Sequence, residues 1–201
     1  LTKRPMRRVL DPLTEMGARV TSSETGTAPL KIHGGSPLRG IDYKMPMGSA
    51  QVKSCLLLAG LYASGTTQVT EPAVTRDHTA QMLRGFGYQV KTEENVVSLS
   101  GGGQLTASSI DVPSDISSAA FFIVAACITP NSDITLQHVG INPTRTGVID
   151  ILLKMGANIR LFNERLVGGE KVADIQVKTS QLTGISVPEN LVSLAIDEFP
   201  V

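Results

Sequence analysis

The sequence has no surplus of either charge: eighteen Lys and Arg stand against eighteen Asp and Glu. The overall field therefore favours neither nucleic acid nor an anionic membrane as a partner, and any anionic ligand must be held by local groups. Long hydrophobic runs are also lacking. The longest, Cys55 to Ala59 and Ala119 to Ile128, fall well short of the roughly 20 residues a membrane helix needs, so the chain reads as a soluble protein. Cysteine is scarce. Cys55 and Cys127 each sit inside an apolar run, without paired spacing or a neighbouring histidine. This pattern argues against a disulfide framework and a metal site, and both read as core thiols of a reducing compartment. No targeting segment precedes the globular pattern, which fits a cytoplasmic protein. His33, His78 and His138 occur singly and read as structural or surface residues.

At 201 residues and 21.3 kDa the chain can bury one large or two small cores. One pattern occurs three times: Met6 to Gly17 and Val20, Arg76 to Gly87 and Val90, and Arg145 to Gly156 and Ile159. The copies lie roughly 70 residues apart. Each carries apolar residues at helical spacing, such as Met6, Val9, Leu10 and Leu13, or Val148, Ile151, Leu152 and Met155. Each then meets a glycine suited to a left-handed helix cap, followed by a strand-like segment. Pro12 interrupts the first copy and predicts a kink, or a helix whose regular part begins later.

A second element recurs. Pro46 to Gly60 and Pro113 to Ala126 read as buried helices, polar at the N-terminal cap and apolar nearly all round. Strands follow at Thr66 to Thr70 and Asp133 to Val139, and hairpin strands at Lys91 to Leu99, Ile159 to Phe162 and Ile175 to Val177. Ser100 to Gly103 reads as a turn, because it lacks the lysine and following helix of a phosphate loop. The repeat is thus helix, strand, helix, strand and hairpin, an α/β (α+β) chain with a boundary near Ile110 to Ser114. Leu1 and Val201 both fall inside a repeat, so each end reads as a cut.

Local chemistry offers several candidates. Lys3-Arg4-Pro5 places two cations beside a proline suited to a helix first turn, either an anion site or a solvated basic start. Ser49-Ala50-Gln51 opens the Pro46 helix, with serine as cap and an amide beside free N–H groups. Thr75-Arg76-Asp77-His78 opens the second repeat helix, as a structural cap or as an anion contact through Arg76. Arg145, at the aligned place in the third copy, reads as structural because nothing nearby supplies a second functional group. Asp197 and Glu198 form a carboxylate pair next to an apolar segment, a setting that tunes a general acid/base, and Asp197 is the favoured member.

Leu1-Thr-Lys-Arg-Pro-Met6, Met47 to Ser54, Glu71-Pro72, Thr75 to Thr79, Asp115 to Ala120, Asn142 to Gly147, Gly168 to Glu170, Ala173-Asp174 and Ile196 to Pro200 resemble the motifs of bacterial 5-enolpyruvylshikimate-3-phosphate synthases. The likeness is to the subgroup carrying Ser-Ala-Gln and Arg-Asp-His-Thr, some members of which tolerate glyphosate. It implies repeated βαβαββ units in two partial domains, with 1–111 the later part of the shikimate 3-phosphate domain and 112–201 the early part of the second. It also implies transfer of the enolpyruvyl group from phosphoenolpyruvate to the 5-hydroxyl of shikimate 3-phosphate, with no metal or organic cofactor. Glyphosate would be an inhibitor, nucleic acid and membrane would play no part, and the full-length enzyme would be monomeric.

By the same resemblance Arg4 corresponds to an arginine that binds phosphoenolpyruvate, Ser49 and Ala50 to shikimate 3-phosphate contacts, and Gln51 to a glutamine between both substrates. Thr75 or Arg76 corresponds to a further shikimate 3-phosphate contact, and Asp197 to the acid/base at the 5-hydroxyl. The family's N-terminal Lys-Ser pair, its Asn-Ala-Gly loop and its later substrate-gripping lysine and arginines have no counterpart here, so the chain by itself is expected to be inactive. Two other readings compete. One is the related transferase that attaches enolpyruvate to UDP-N-acetylglucosamine, against which the Thr-Lys-Arg-Pro and Arg-Asp-His-Thr motifs speak. The other is a non-catalytic repeat protein, in which Arg4, Ser49 and Arg76 would lie on different faces.

Overall fold

The computed structural model describes residues 2–201, which divide into two compact units, one ending at Ala107 and the other running from Ser108 to Val201. In the first, α1 (Arg7–Glu15), β1 (Arg19–Thr21), β2 (Lys31–His33) and β3 (Leu38–Arg39) precede β4 (Asp42–Lys44), α2 (Ala50–Gly60), β5 (Ala63–Ser64), β6 (Thr66–Thr70), α3 (His78–Gly85), β7 (Val90–Glu93) and β8 (Val96–Ser100). The main sheet has the order β4-β6-β8-β7. β4 and β6 are parallel, and β8 is antiparallel to both of its neighbours. The run β4-α2-β6-α3-β7-β8 is therefore one complete βαβαββ unit.

The second unit repeats it with a reduced first strand. Ser114 makes an isolated parallel bridge to Val139, and α4 (Ile116–Ile128), β9 (Asp133–Gly140), α5 (Gly147–Lys154), β10 (Asn158–Val167) and β11 (Glu170–Lys178) follow, then the short α6 (Glu189–Val192). The antiparallel sheet has the order β10-β11-β9.

The recurring glycines stop the helices by one device. Gly17, Gly87 and Gly156 have φ of 101°, 77° and 94°, a region that costs a side-chain-bearing residue dearly. At each, the glycine N–H bonds the carbonyl three residues back and the next N–H bonds the one five back: Gly17 to Thr14 and Ala18 to Leu13, Gly87 to Arg84 and Tyr88 to Leu83, Gly156 to Leu153 and Ala157 to Leu152. This is the Schellman pattern, which satisfies carbonyls the helix end would orphan.

At the other ends, Ser49 accepts from Val52 N at 3.4 Å and Asp115 from Ser118 N at 3.0 Å. Pro12 does not delay α1, which runs from Arg7 to Glu15 with the proline buried inside it. The carbonyl deprived of its donor belongs to Arg8, an exposed residue. Pro5 lies before the helix and not in its first turn, because the carbonyl of Met6 accepts the first helical bonds, from Val9 and Leu10.

Each unit has its own core. Leu56, Leu57, Val69, Leu83 and Val97 centre the first, and Ala120, Ile123, Val139, Ile149 and Ile175 the second. The expectation of helices buried all round is corrected for α4. Ile116, Ala120, Ile123 and Cys127 are buried, whereas Phe121 and Phe122 are 62% and 61% exposed, because the unit's single sheet covers only one face of the helix. α2 likewise leaves Leu58 exposed. Among the described residues no helix is long and apolar enough to cross a membrane, and no cluster of His, Cys, Asp and Glu could hold a metal.

Candidate functional site

The first unit brings several of the candidate residues to the N-terminal end of α2. Ala50, Gln51, Ser54, Cys55 and Leu58 from that helix face Arg76, His78 and Thr79 across an open cleft of about 540 Å³. Two forces favour an anion here: the helix begins with unsatisfied N–H groups, and Arg76 adds a full positive charge. Ser49, the N-cap, accepts from Val52 through its oxygen and keeps its hydroxyl proton to donate. Gln51 is fixed from outside, since Arg8 Nη2 on α1 donates to its Oε1 at 2.8 Å. That leaves the amide N–H groups of Gln51 as donors. Thr79 Oγ1 donates to Ser54 Oγ at 2.7 Å, tying α3 to α2 below the cleft.

Thr75 and Arg76 behave differently although adjacent. Thr75 N and Oγ1 both donate to Glu71 Oε2, and the Thr75 carbonyl accepts from Lys53 Nζ at 3.1 Å. Arg76 is the one that lines the cleft. Arg4 is exposed, just before α1, and is not among the cleft-lining residues. The larger cavity, about 580 Å³ beside Tyr88, Lys91 and Gly101 to Gly103, contains none of the candidate residues.

In the second unit the carboxylate pair divides its roles. Asp197 is exposed, while Glu198 is 6% exposed and accepts from Ser117 Oγ. Arg145 Nη2 donates to the same hydroxyl oxygen and stands 3.2 Å from Asp115 Oδ1 and 3.8 Å from Glu198 Oε1. The burial expected to tune Asp197 thus falls on its neighbour. The reading of Arg145 as isolated is also corrected, since α4 and the 194–199 turn supply it with two carboxylates and a hydroxyl. Burial raises the Asp115 carboxyl, but the Ser118 amide and hydroxyl, Arg145 and the Ser117 amide outweigh it and hold the group below the usual carboxylate range.

Cys127 is fully buried, but Cys55 is only half-buried, contrary to its reading as a core thiol, because its helix face borders the cleft. Burial pushes both thiols up.

A family model described as EPSP synthase (3-phosphoshikimate 1-carboxyvinyltransferase) matches residues 1–201. The chain belongs to the EPSP synthase family. It is 64% identical over 206 residues to the 3-phosphoshikimate 1-carboxyvinyltransferase of Hydrogenovibrio crunogenus, covering 100% of this chain and 46% of that protein. To the protein of the same description from Alkalilimnicola ehrlichii it is 65% identical over 201 residues, covering 100% and 45%. The solved structure of EPSP synthase from Acinetobacter baumannii superimposes with a TM-score of 0.94 at 60% identity, over 100% of this chain and 46% of that one. The chain thus spans about half the length of the curated relatives it matches.

Two further residues of the site lie within the Met47 to Ser54 and Glu71-Pro72 motifs without a role assigned from sequence. Lys53 and Glu71 are 3% and 4% exposed and form an ion pair of 2.6 Å beneath the cleft. A lysine on the inward face of an apolar helix was the available signal, since such a residue is almost never buried unless paired.

Proposed function

We propose that this chain supplies part of the site at which an EPSP synthase transfers the enolpyruvyl group from phosphoenolpyruvate to the 5-hydroxyl of shikimate 3-phosphate. The observation that carries this reading is the convergence of Ala50, Gln51 and Arg76 on one cleft at the start of α2. An arginine, a glutamine and a helix N-terminus suit a phosphorylated, hydroxyl-bearing ligand. The relatives' shared description names the reaction.

In this reading residues 1–111 are the later part of the shikimate 3-phosphate domain and 112–201 the early part of the second. Ser49, Ala50 and Arg76 contact shikimate 3-phosphate, Thr75 orders their loop, Gln51 lies between both substrates, and Arg4 binds phosphoenolpyruvate. Asp197 takes the 5-hydroxyl proton while the oxygen bonds the central enolpyruvyl carbon and the methylene carbon gains a proton. Loss of a proton from the resulting methyl group, together with departure of phosphate, then restores the double bond. The whole enzyme works as a cytoplasmic monomer, with glyphosate as an inhibitor and without nucleic acid or membrane. The isolated chain binds without turning over, because the charge stabilisation for transfer is shared with residues it does not contain.

Calorimetric titration of shikimate 3-phosphate into this chain, beside the variant Ser49→Ala/Arg76→Ala, tests the reading. Binding that the double variant loses supports it; equal binding by both proteins, or none by a folded wild-type chain, removes its physical basis.

A further inference from the structure

The cleft is organised from beneath by a charge pair it does not expose. Gln51 and Lys53 are two residues apart on α2, so they point to nearly opposite sides of the helix. Gln51 borders the cleft, and Lys53 is turned inward. There its ammonium donates to Glu71 Oε1 at 2.6 Å and to the Thr75 carbonyl at 3.1 Å. Glu71 uses its other oxygen for Thr75 N, at 3.1 Å, and Thr75 Oγ1. Its backbone is held as well, since Glu71 N donates to Asn95 O and Asn95 Nδ2 to Glu71 O. The segment from Glu71 to Thr75 is thus closed into a ring by one carboxylate and bolted to α2 by one ammonium. Arg76 is the next residue along the chain.

The fit is close. A Cβ added to Gly48, just before the α2 cap, would meet Thr75 Cγ2 at 3.1 Å. The second unit makes an instructive comparison. There Asn142 stands after β9 as Glu71 stands after β6, its Oδ1 accepts from Thr144 N and Oγ1, and an arginine follows. Closing the loop before the arginine therefore needs no buried charge. What differs is the anchor: Asn142 Nδ2 donates to Glu170 at the start of β11, whereas Glu71 is bound to the helix that carries Gln51. A buried ion pair contributes little net stability against an apolar pair of similar volume, and its best-attested use is to fix one arrangement among several.

We propose that Lys53 and Glu71 are positioning residues of the cleft: their buried pair holds Thr75, and so Arg76, against the first turn of α2, presenting Arg76 and Gln51 together to a phosphorylated ligand. This rests on the reading of the site given above and adds the two groups that set its geometry.

The test compares the wild-type chain with Lys53→Met/Glu71→Gln, which removes both charges at similar volume and leaves an amide oxygen for Thr75, and with Arg76→Ala. Shikimate 3-phosphate is titrated calorimetrically, thermal unfolding is recorded, and amide hydrogen exchange is followed at Thr75. The double variant is expected to unfold within a few degrees of wild type, to exchange the Thr75 amide at least about tenfold faster, and to bind at least about tenfold more weakly. A folded double variant with wild-type affinity overturns the proposal, as does one that fails to fold, since the pair would then serve the fold. In the wild type, bound ligand should slow exchange at Thr75; unchanged exchange counts against the coupling. Should Arg76→Ala bind as the wild type does, the reading of the site itself fails, while the exchange comparison still reports whether the pair orders the loop.

Discussion

Glu198 is joined to Ser117, 81 residues earlier, by a hydrogen bond from the serine hydroxyl, and Arg145 Nη2 lies 3.8 Å from the same carboxylate oxygen. With 3% of its side chain exposed, Glu198 docks the 194–199 turn onto the start of α4. Asp197, beside it, is exposed. Glu198→Ala should therefore destabilise the second unit by about 1–3 kcal/mol, the range for losing a buried charge-assisted bond, and speed proteolysis after Leu194. Asp197→Asn, at an exposed side chain, should cost less stability than Glu198→Ala. Denaturant unfolding with limited proteolysis separates the two, and equal effects would contradict the division of roles.

Lys53→Met alone should cost about 3–5 kcal/mol, because it strands a buried carboxylate. The double replacement Lys53→Met/Glu71→Gln should recover most of that loss. A double-mutant cycle on urea midpoints measures the coupling, and additive losses would mean that the pair is less desolvated than its 2.6 Å contact and its burial indicate.

Asp115 gives a pH signature. Its carboxyl is held below the usual range in the folded chain, so its charge contributes stability that is fully present above the unfolded value near 3.8 and fades as pH falls through the lower folded value. Asp115→Asn keeps a good helix cap but loses the charge. Wild type should exceed the variant in stability at pH 6, and the two should converge as pH falls through the lowered folded value. A gap that persists into strong acid would assign the effect to something other than ionisation.

Thiol labelling should distinguish the two cysteines. Burial raises both, and the thiolate is the reactive form, so Cys127 should resist reagent until the chain unfolds. Cys55, half-buried at the cleft, should react slowly at pH 7, faster at pH 9, and more slowly again with shikimate 3-phosphate present. Equal rates for both thiols would mean that Cys55 is not accessible from the cleft.

Much of the fold was legible because its signals are local. Gly17, Gly87 and Gly156 announced the helix ends and Ser49 one of the starts, and the strand Thr66 to Thr70 appears with the bounds read from its residues. The exposure of Phe121 and Phe122 was not legible, since a helix apolar on every side carries no periodic mark of which face meets the sheet. At the site, Ala50, Gln51 and Arg76 were named from sequence and do meet at one cleft. The pairing of Lys53 with Glu71 was hidden because it depends on β4 and β6 lying parallel with α2 across them. Asp197 and Glu198 are neighbours of one chemical type, and only the approach of Ser117 and Arg145 reveals which is buried.

The three glycine stops also bear on which changes of length the chain can absorb. A residue inserted into α3 would turn everything before it by about 100° against the strand that Gly87 launches, swinging Arg76 away from α2. The same residue added at the exposed Gly34–Gly35 stretch between β2 and β3 would alter no helix phase. Natural or engineered length variation should therefore gather in such surface connections and spare the short helices, whose count of residues is fixed by the direction an arginine must face.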